Sequence, residues 1–358
     1  MTTIVLCANN IQELGGAQKV VHTLAQGFSE RGHEVHLVGI TSVADPHDYP
    51  ANYSTHTLMD SIWPMRTSTN AQTREQLRSS AVAKFENLLT SLESGVIISS
   101  QLWALEIALD AQARLQQRRW PVIGQYHGSF AAAAAGRDIR RAQKLSPACE
   151  YFAVLSDEDR DAFALAGVTN AIVMSNPLTI SIKDIERAKS ISRGTSVDFV
   201  GRFSEEKGPD LLLEAWKLLS DHHGKLIFTG SGPMSDSLKT AASALSGVEF
   251  HSAVADPVQV LAGSGVVVIP SRTEGAPLVL AEALALGTPV VVTDASSGVR
   301  EMVRGNPRAI LVERENPAAL AAAIRRGLQL QVNTPVTYPP IPNQVIYERW
   351  EEVFTSVS

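Results

Sequence analysis

The stretch TIVLCANNIQELGGAQKVVHTLAQGFSERGHEVHLVGI, Thr3 to Ile40, decides the fold. Thr3 to Asn9 is a short apolar run with β-branched residues, a polar stretch with Gly15-Gly16 follows, and Ala17 to Glu30 has the apolar spacing of an amphipathic helix. Gly32 ends that helix, and His33 to Ile40 is the next strand. Working outward, strands are expected at Gly95 to Ser99, Pro121 to Tyr126, Tyr151 to Leu155 and Ala171 to Ser175, with helices between several of them. Strands alternating with helices imply a parallel sheet covered on both faces. The pattern restarts with strands at Val197 to Gly201, Lys225 to Thr229, Val248 to Phe250, Val266 to Ile269, Pro289 to Thr293 and Ala309 to Val312, and with helices at Pro209 to Leu219 and Met234 to Leu245. Two successive α/β domains follow, residues 1–177 and 178–343, divided near Asn176-Pro177-Leu178. Residues 344–358 form a short helix with its own apolar stripe. The four prolines of Asn333 to Asn343 predict extended chain, and Tyr49 to Glu93 carries no assignment.

A chain of 358 residues is long enough for two such cores, and 44% hydrophobic with 19% charged residues excludes a disordered or fibrous chain. The net charge of −6 gives no general affinity for nucleic acid, so an anionic ligand needs a local basic site. Two cysteines, Cys7 and Cys149, are too few for a disulfide framework or a four-ligand zinc site and fit a reducing compartment. No stretch approaches the ~18 to 20 apolar residues that span a bilayer. A cytoplasmic protein is the expectation, with peripheral contact at the inner face of a membrane left open. The sequence does not show an oligomeric state.

Arg202 and Lys207, in VGRFSEEKG, follow an apolar strand, and ligands of open parallel sheets gather beyond the carboxyl ends of strands. An arginine fork with a nearby lysine suits a diphosphate. The alternative is an ion pair between Arg202 and Glu205 or Glu206. In VVVIPSRTEGAPLVLAEALALG, Val266 to Gly287, a strand stops at Pro270, Glu274 lies in a loop, and Pro277 takes the first helical position. Backbone N–H groups around Leu278 and Val279 would point at an anion, and Glu282, alone in an apolar helix, needs either hydrogen-bond donors or the wet face. Gly15-Gly16 admits close approach of backbone to a ligand, or is an ordinary turn. His127 lies just past a strand, where a structural histidine is the competing reading.

Other patterns carry less. Ser156 with Asp159 reads as a capping box rather than Asp157 and Asp159 as metal ligands. Three residues apart in a strand, His33 and His36 fall on opposite faces. Gly230-Ser231-Gly232 lacks the third glycine of a dinucleotide fingerprint. Ala131 to Ala135 is plain helix, and Arg137, Arg140, Arg141 and Lys144 are a solvated face or a contact to an acidic acceptor or membrane surface.

Taken in order, these segments resemble the family 4 retaining glycosyltransferases, whose GT-B fold has two facing Rossmann-like domains and a C-terminal helix that crosses back to the first. ELGGAQKVVHTLAQGFSERGHEVHLV is similar to the family's Gly-Gly loop, first helix and second strand, VGRFSEEKGPDLLLEAW to its phosphate segment, and FTGSGP to its next strand and turn. Pro270 to Asp294, with Glu274 and Glu282 at E-x7-E spacing, is similar to its most distinctive motif. The resemblance implies that Arg202 and Lys207 bind the donor diphosphate, Glu282 the nucleotide ribose, and Glu274 the transferred sugar. It also implies help from the backbone of Gly275, Ala276, Pro277, Leu278 and Val279, with Gly15 and Gly16 against the donor phosphate. His127 would contact the sugar and steady the transition state, and Tyr347 and Trp350 would pack on the first domain. Ala276 stands where the family often has a bulkier apolar residue, and Asn176-Pro177-Leu178 replaces a more usual Asn-Gly. The implied activity is metal-independent, retaining transfer from a nucleotide sugar to an unidentified hydroxyl acceptor. The donor is a UDP-sugar first, with GDP- and ADP-sugars as alternatives, and no other cofactor is called for. An epimerase of similar fold, or an inactive nucleotide-sugar-binding protein, is the competing reading.

Overall fold

The computed structural model describes residues 1–62, 71–115, 120–219, 224–330 and 341–357. Most of the proline-rich stretch Asn333 to Asn343 therefore lies outside the described residues. The chain divides into two compact units, Met1–Pro177 together with Asn343–Ser358, and Leu178–Pro342. Asn343 belongs with the first unit rather than the second, because it begins the last helix.

Unit 1 runs β1 (Thr3–Ala8), α1 (Gly16–Glu30), β2 (Glu34–Ser42), β3 (Ser54–Ile62), α2 (Ala71–Ser91), β4 (Gly95–Ser99), α3 (Leu102–Arg114), β5 (Val122–Gln125), α4 (Phe130–Ala135), α5 (Asp138–Leu145), β6 (Tyr151–Val154), α6 (Asp157–Leu165) and β7 (Ala171–Val173). Its sheet is parallel throughout, in the order β3-β2-β1-β4-β5-β6-β7. All six residues of β1 are buried, as a central strand covered on both faces requires. His33 precedes β2 instead of lying in it, and His36 pairs with His56 of β3, Nδ1 to Nε2 at 3.0 Å. Ser156 caps α6 as expected, its hydroxyl accepting from the Asp159 N–H at 3.2 Å, and the Asp159 carboxylate also accepts the Phe130 N–H at 2.8 Å.

Unit 2 runs α7 (Ile182–Ala188), β8 (Val197–Val200), α8 (Pro209–Lys217), β9 (Leu226–Thr229), α9 (Ser235–Ala242), β10 (Val248–His251), α10 (Val258–Gly263), β11 (Val266–Ile269), α11 (Leu278–Ala285), β12 (Val290–Thr293), α12 (Ser297–Val303), β13 (Ala309–Val312) and α13 (Pro317–Leu328). The order β10-β9-β8-β11-β12-β13 is again all parallel. In each sheet the strand order reverses direction beside the first strand, between β1 and β4 and between β8 and β11. Such switch points are where open α/β sheets bind ligands, because the loops leaving the two strands diverge there.

The last helix, α14 (Asn343–Val357), returns to unit 1. Its buried face, Ile346, Tyr347, Trp350 and Phe354, meets Phe28 of α1, with the Tyr347, Trp350 and Phe354 rings at 5.5, 6.5 and 5.4 Å from the Phe28 ring. The Tyr347 hydroxyl donates to Thr23 O at 3.1 Å, and Arg31 grips Glu351 through two bonds of 2.7 and 2.6 Å. Gly27 lets the helices approach this closely: a Cβ there would fall 2.1 Å from the Tyr347 ring. Gly27→Ala is expected to push Tyr347 off its seat and lower the unfolding free energy by about 1 to 3 kcal/mol, read from a urea titration.

Candidate functional site

In unit 2 the loops leaving β8 and β11 meet across the switch point. Arg202 lies just past β8 and is exposed, and Lys207 ends a 3-10 turn, Glu205–Lys207, in the same loop. From the other loop, Glu274 accepts Lys207 Nζ on both carboxylate oxygens at 2.8 Å and the Ser271 hydroxyl at 2.7 Å. The pair is asymmetric, with the Glu274 side chain 6% exposed and that of Lys207 33%. A carboxylate buried that far needs such partners. Two groups that the resemblance assigns to different parts of a donor are thus joined to each other.

The loops are held by a residue that sequence reasoning missed. Arg272 forks onto Asp210 of α8 with bonds of 2.9 and 2.7 Å, donates to Glu205 O at 2.8 Å and reaches Glu315 at 3.1 Å. Hydrogen bonding to Asp210 raises the Arg272 pKa. For Asp210 burial acts against the charge, but the bonds and charge of Arg272 outweigh it and hold the carboxyl below its usual value. No local signal marks this pair, since its members are 62 residues apart.

The Glu274 turn is fixed from behind. Ser296 donates its hydroxyl to Gly275 O at 2.6 Å while accepting the Val299 N–H at 3.1 Å as the cap of α12. Thr293 donates to Ser271 O at 2.5 Å. A Cβ on Gly298 would sit 2.4 Å from Gly275 O, so the turn rests directly on the start of α12.

Pro277 is the cap preceding α11, not its first helical residue, because its ψ of 128° is extended. The N–H groups of Leu280 and Ala281 bond to Pro277 O at 3.2 and 3.3 Å, so the preceding amides, Leu278 and Val279, begin the helix ahead of its first internal bonds. Ala276, Leu278 and Val279 are half-buried and Gly275 and Pro277 buried. Glu282 is not on a wet face: it is 4% exposed, and Thr179 donates its hydroxyl to Oε1 at 2.5 Å.

In unit 1, Gly15 caps α1 in extended conformation and Gly16 is its first residue, exposed and beyond the carboxyl end of β1. His127 follows β5 and is half-buried, yet its Nε2 is fully enclosed and without a hydrogen-bond partner among the described residues. Burial pushes its pKa from 6.5 down to about 4, opposed by the Asn176 side chain. Between these values the unfolded chain binds the proton and the folded chain does not, so stability falls as pH drops from 6.5 towards 4. Relative to His127→Leu, the wild-type chain is expected to lose about 3 kcal/mol of unfolding free energy between pH 7 and pH 4. Parallel stability curves for the two proteins would contradict a buried neutral imidazole.

Cys7 and Cys149 are buried thiols whose burial raises their pKa to about 12, which makes them inert packing groups. Among the described residues, no group of three or more His, Cys, Asp or Glu could hold a metal ion, and no helix is long and apolar enough to cross a membrane. Arg141 pairs with Glu106 and Asp138, while Arg137, Arg140 and Lys144 are exposed.

Residues 14–179 match the family described as Glycosyltransferase Family 4, and residues 194–329 match Glycosyl transferases group 1. An uncharacterized glycosyltransferase of Haemophilus influenzae is 30% identical over 196 residues, covering 53% of this chain and 54% of that protein. A D-inositol 3-phosphate glycosyltransferase of Geodermatophilus obscurus is 38% identical over 146 residues, 36% of this chain and 32% of its own. The matches thus span about half or less of these relatives. Among solved structures, Anabaena HepE in complex with UDP and glucose superposes with a TM-score of 0.76 at 18% identity, over 99% of this chain and 100% of its own. Sucrose-phosphate synthase of Thermosynechococcus elongatus gives 0.76 at 17%, over 100% and 99%. Both units have the Rossmann-like, parallel-sheet architecture of GT-B structures.

Proposed function

The chain belongs to the family 4 and group 1 glycosyltransferases, and from that premise we propose that it moves a sugar, with retention, from a nucleotide diphosphate to a hydroxyl acceptor. The observation that carries this reading is the convergence, at the switch point of the second sheet, of Lys207, Glu274 and the first amides of α11. Cations and a helix start in one place suit a pyrophosphate.

As the bond from the anomeric carbon to the phosphate oxygen breaks, its electron pair leaves with the diphosphate and the sugar becomes oxocarbenium-like. Arg202, Lys207 and the amides of Leu278 and Val279 gain most where negative charge grows, so they favour the transition state over bound donor. The acceptor oxygen attacks from the face that the diphosphate leaves, and its proton passes to the departing phosphate oxygen. In unit 2, Glu282 holds the ribose hydroxyls and Glu274 with the Gly275–Ala276 backbone the sugar; for unit 1, a phosphate contact at Gly16 and a sugar contact at His127 belong to the same proposal. With these fixed cations the scheme contains no metal-dependent step, and chelation should leave turnover unchanged.

A uridine donor is proposed first, because HepE, which shares the fold, was crystallised with UDP. The test is a thermal-shift panel of UDP, GDP and ADP, since a ligand at 100 times its Kd adds about 2.7 kcal/mol to stability. UDP is expected to give the largest shift. If none of the three moves the transition, the donor site is wrong. Incubation with donor alone separates the epimerase reading: an epimer formed without diphosphate release would replace the transferase.

A further inference from the structure

Three successive carbonyls in the loop entering Gly15-Gly16 are each held by a donor from outside it. Ile11 O takes His22 Nε2 at 2.7 Å, Gln12 O takes the His47 backbone N–H at 2.7 Å, and Glu13 O takes the Tyr49 hydroxyl at 3.1 Å. A carbonyl only accepts, so His22 carries its proton on Nε2. Its Nδ1 is then the acceptor for the Tyr53 hydroxyl at 2.6 Å.

The rings lock together. Tyr49 stacks on His22 with centroids 4.0 Å apart and planes at 15°, and His47 stands edge-on to Tyr49 at 4.5 Å. Ser29 of α1 ties the segment down farther on, donating to Asn52 O at 3.1 Å. The segment between β2 and β3 is thus a brace against the Gly-Gly loop, and His22 projects from the helix that Gly16 begins.

A di-glycine turn has the widest conformational freedom in the chain, and amides that must present their N–H groups to an anion lose affinity to the extent that they are disordered beforehand. Fixing the carbonyls of Ile11, Gln12 and Glu13 also fixes the N–H groups of Gln12, Glu13 and Leu14 in the same peptide planes, so the chain enters Gly15 in a set direction. We infer that His22, Tyr49 and Tyr53 are positioning residues that set the peptide planes leading into Gly15-Gly16, so that the first amides of α1 are presented to the donor diphosphate. This rests on the proposed donor role of Gly16.

Tyr49→Phe and Tyr53→Phe each delete one hydroxyl and keep the ring. Calorimetry with UDP and steady-state kinetics with its sugar should show, for Tyr49→Phe, a rise of about tenfold in UDP Kd and donor KM with acceptor KM unchanged. Tyr53→Phe should show a smaller rise in the same constants. His22→Gln keeps a donor for Ile11 O and should bind UDP more tightly than His22→Leu. A merely structural brace would lower the melting temperature of these variants and leave UDP Kd at the wild-type value, which overturns the inference. Arg202→Ala and Lys207→Ala, run alongside, locate any failure. If they lose UDP while the tyrosine variants do not, only the brace fails, and if they too bind UDP normally the parent reading fails.

Discussion

Lys207→Ala is expected to reduce kcat by about 10²- to 10³-fold, raise UDP Kd, and destabilise the folded protein by about 2 to 3 kcal/mol. The catalytic loss is that of one cation aimed at a leaving group. The stability loss has a separate source: Glu274, whose side chain is 6% exposed, loses both Lys207 bonds and keeps that of the Ser271 hydroxyl when the ammonium is gone. A fully buried pair would cost about 3 to 5 kcal/mol to break, and the figure is lower here because Lys207 is one-third exposed. The two losses separate in a cycle with Glu274→Gln. The double variant should recover most of the lost stability, since no charge is left unpaired, and none of the lost turnover. Recovery of turnover in the double variant would mean that Lys207 serves only to neutralise Glu274. Arg202→Ala, exposed beyond β8, should lower UDP affinity and turnover with little change in melting temperature, which distinguishes the two cations.

The central strands were legible in the sequence because parallel strands covered on both faces are continuous apolar runs, as in TIVLCA, VVVI and VVVT. β3, STHTLMDSI, was not: it is an edge strand beside β2 whose polar run Ser54 to Thr57 merges with the preceding loop. α2 buries Ala81, Val82, Phe85 and Leu89, a helical stripe diluted by a polar first half. The same division runs through the site. Glu274, Glu282, Arg202 and Lys207 could be picked out because each breaks a local pattern next to a strand end or in an apolar helix. Their pairings could not, because Thr179 bonds Glu282 across 103 residues and Lys207 meets Glu274 across 67. Sequence therefore read Lys207 as a cation awaiting a ligand, where the fold already gives it a carboxylate. Ligand binding there must compete with or extend an existing ion pair.

Gly208→Ala should damage the site without touching any of its charged groups. Gly208 has φ +62° and ψ 34°, and it separates Lys207 from the first turn of α8. A Cβ at this position would lie 2.2 Å from Pro270 O, the carbonyl at which the β11 strand gives way to the Glu274 loop. Two costs follow. The left-handed conformation costs a non-glycine residue about 1 to 2 kcal/mol, and the contact with backbone cannot be relieved by a side-chain rotation. Relief requires the two loops to part, which draws Lys207 from Glu274 and strains the Arg272 fork on Asp210. Gly305 provides the comparison within the same unit, because its φ of +70° is similar and nothing lies within 4 Å of its missing Cβ. Gly305→Ala should therefore cost the conformational part alone, about 1 to 2 kcal/mol, with kcat/KM unchanged. Gly208→Ala should add an overpacking cost of about 1 to 3 kcal/mol to that conformational part, about 2 to 5 kcal/mol in all, and lower UDP affinity about tenfold or more. Equal stability losses in the two variants, with UDP binding intact in both, would show that the loops can separate without consequence and that their close approach does not shape the donor site.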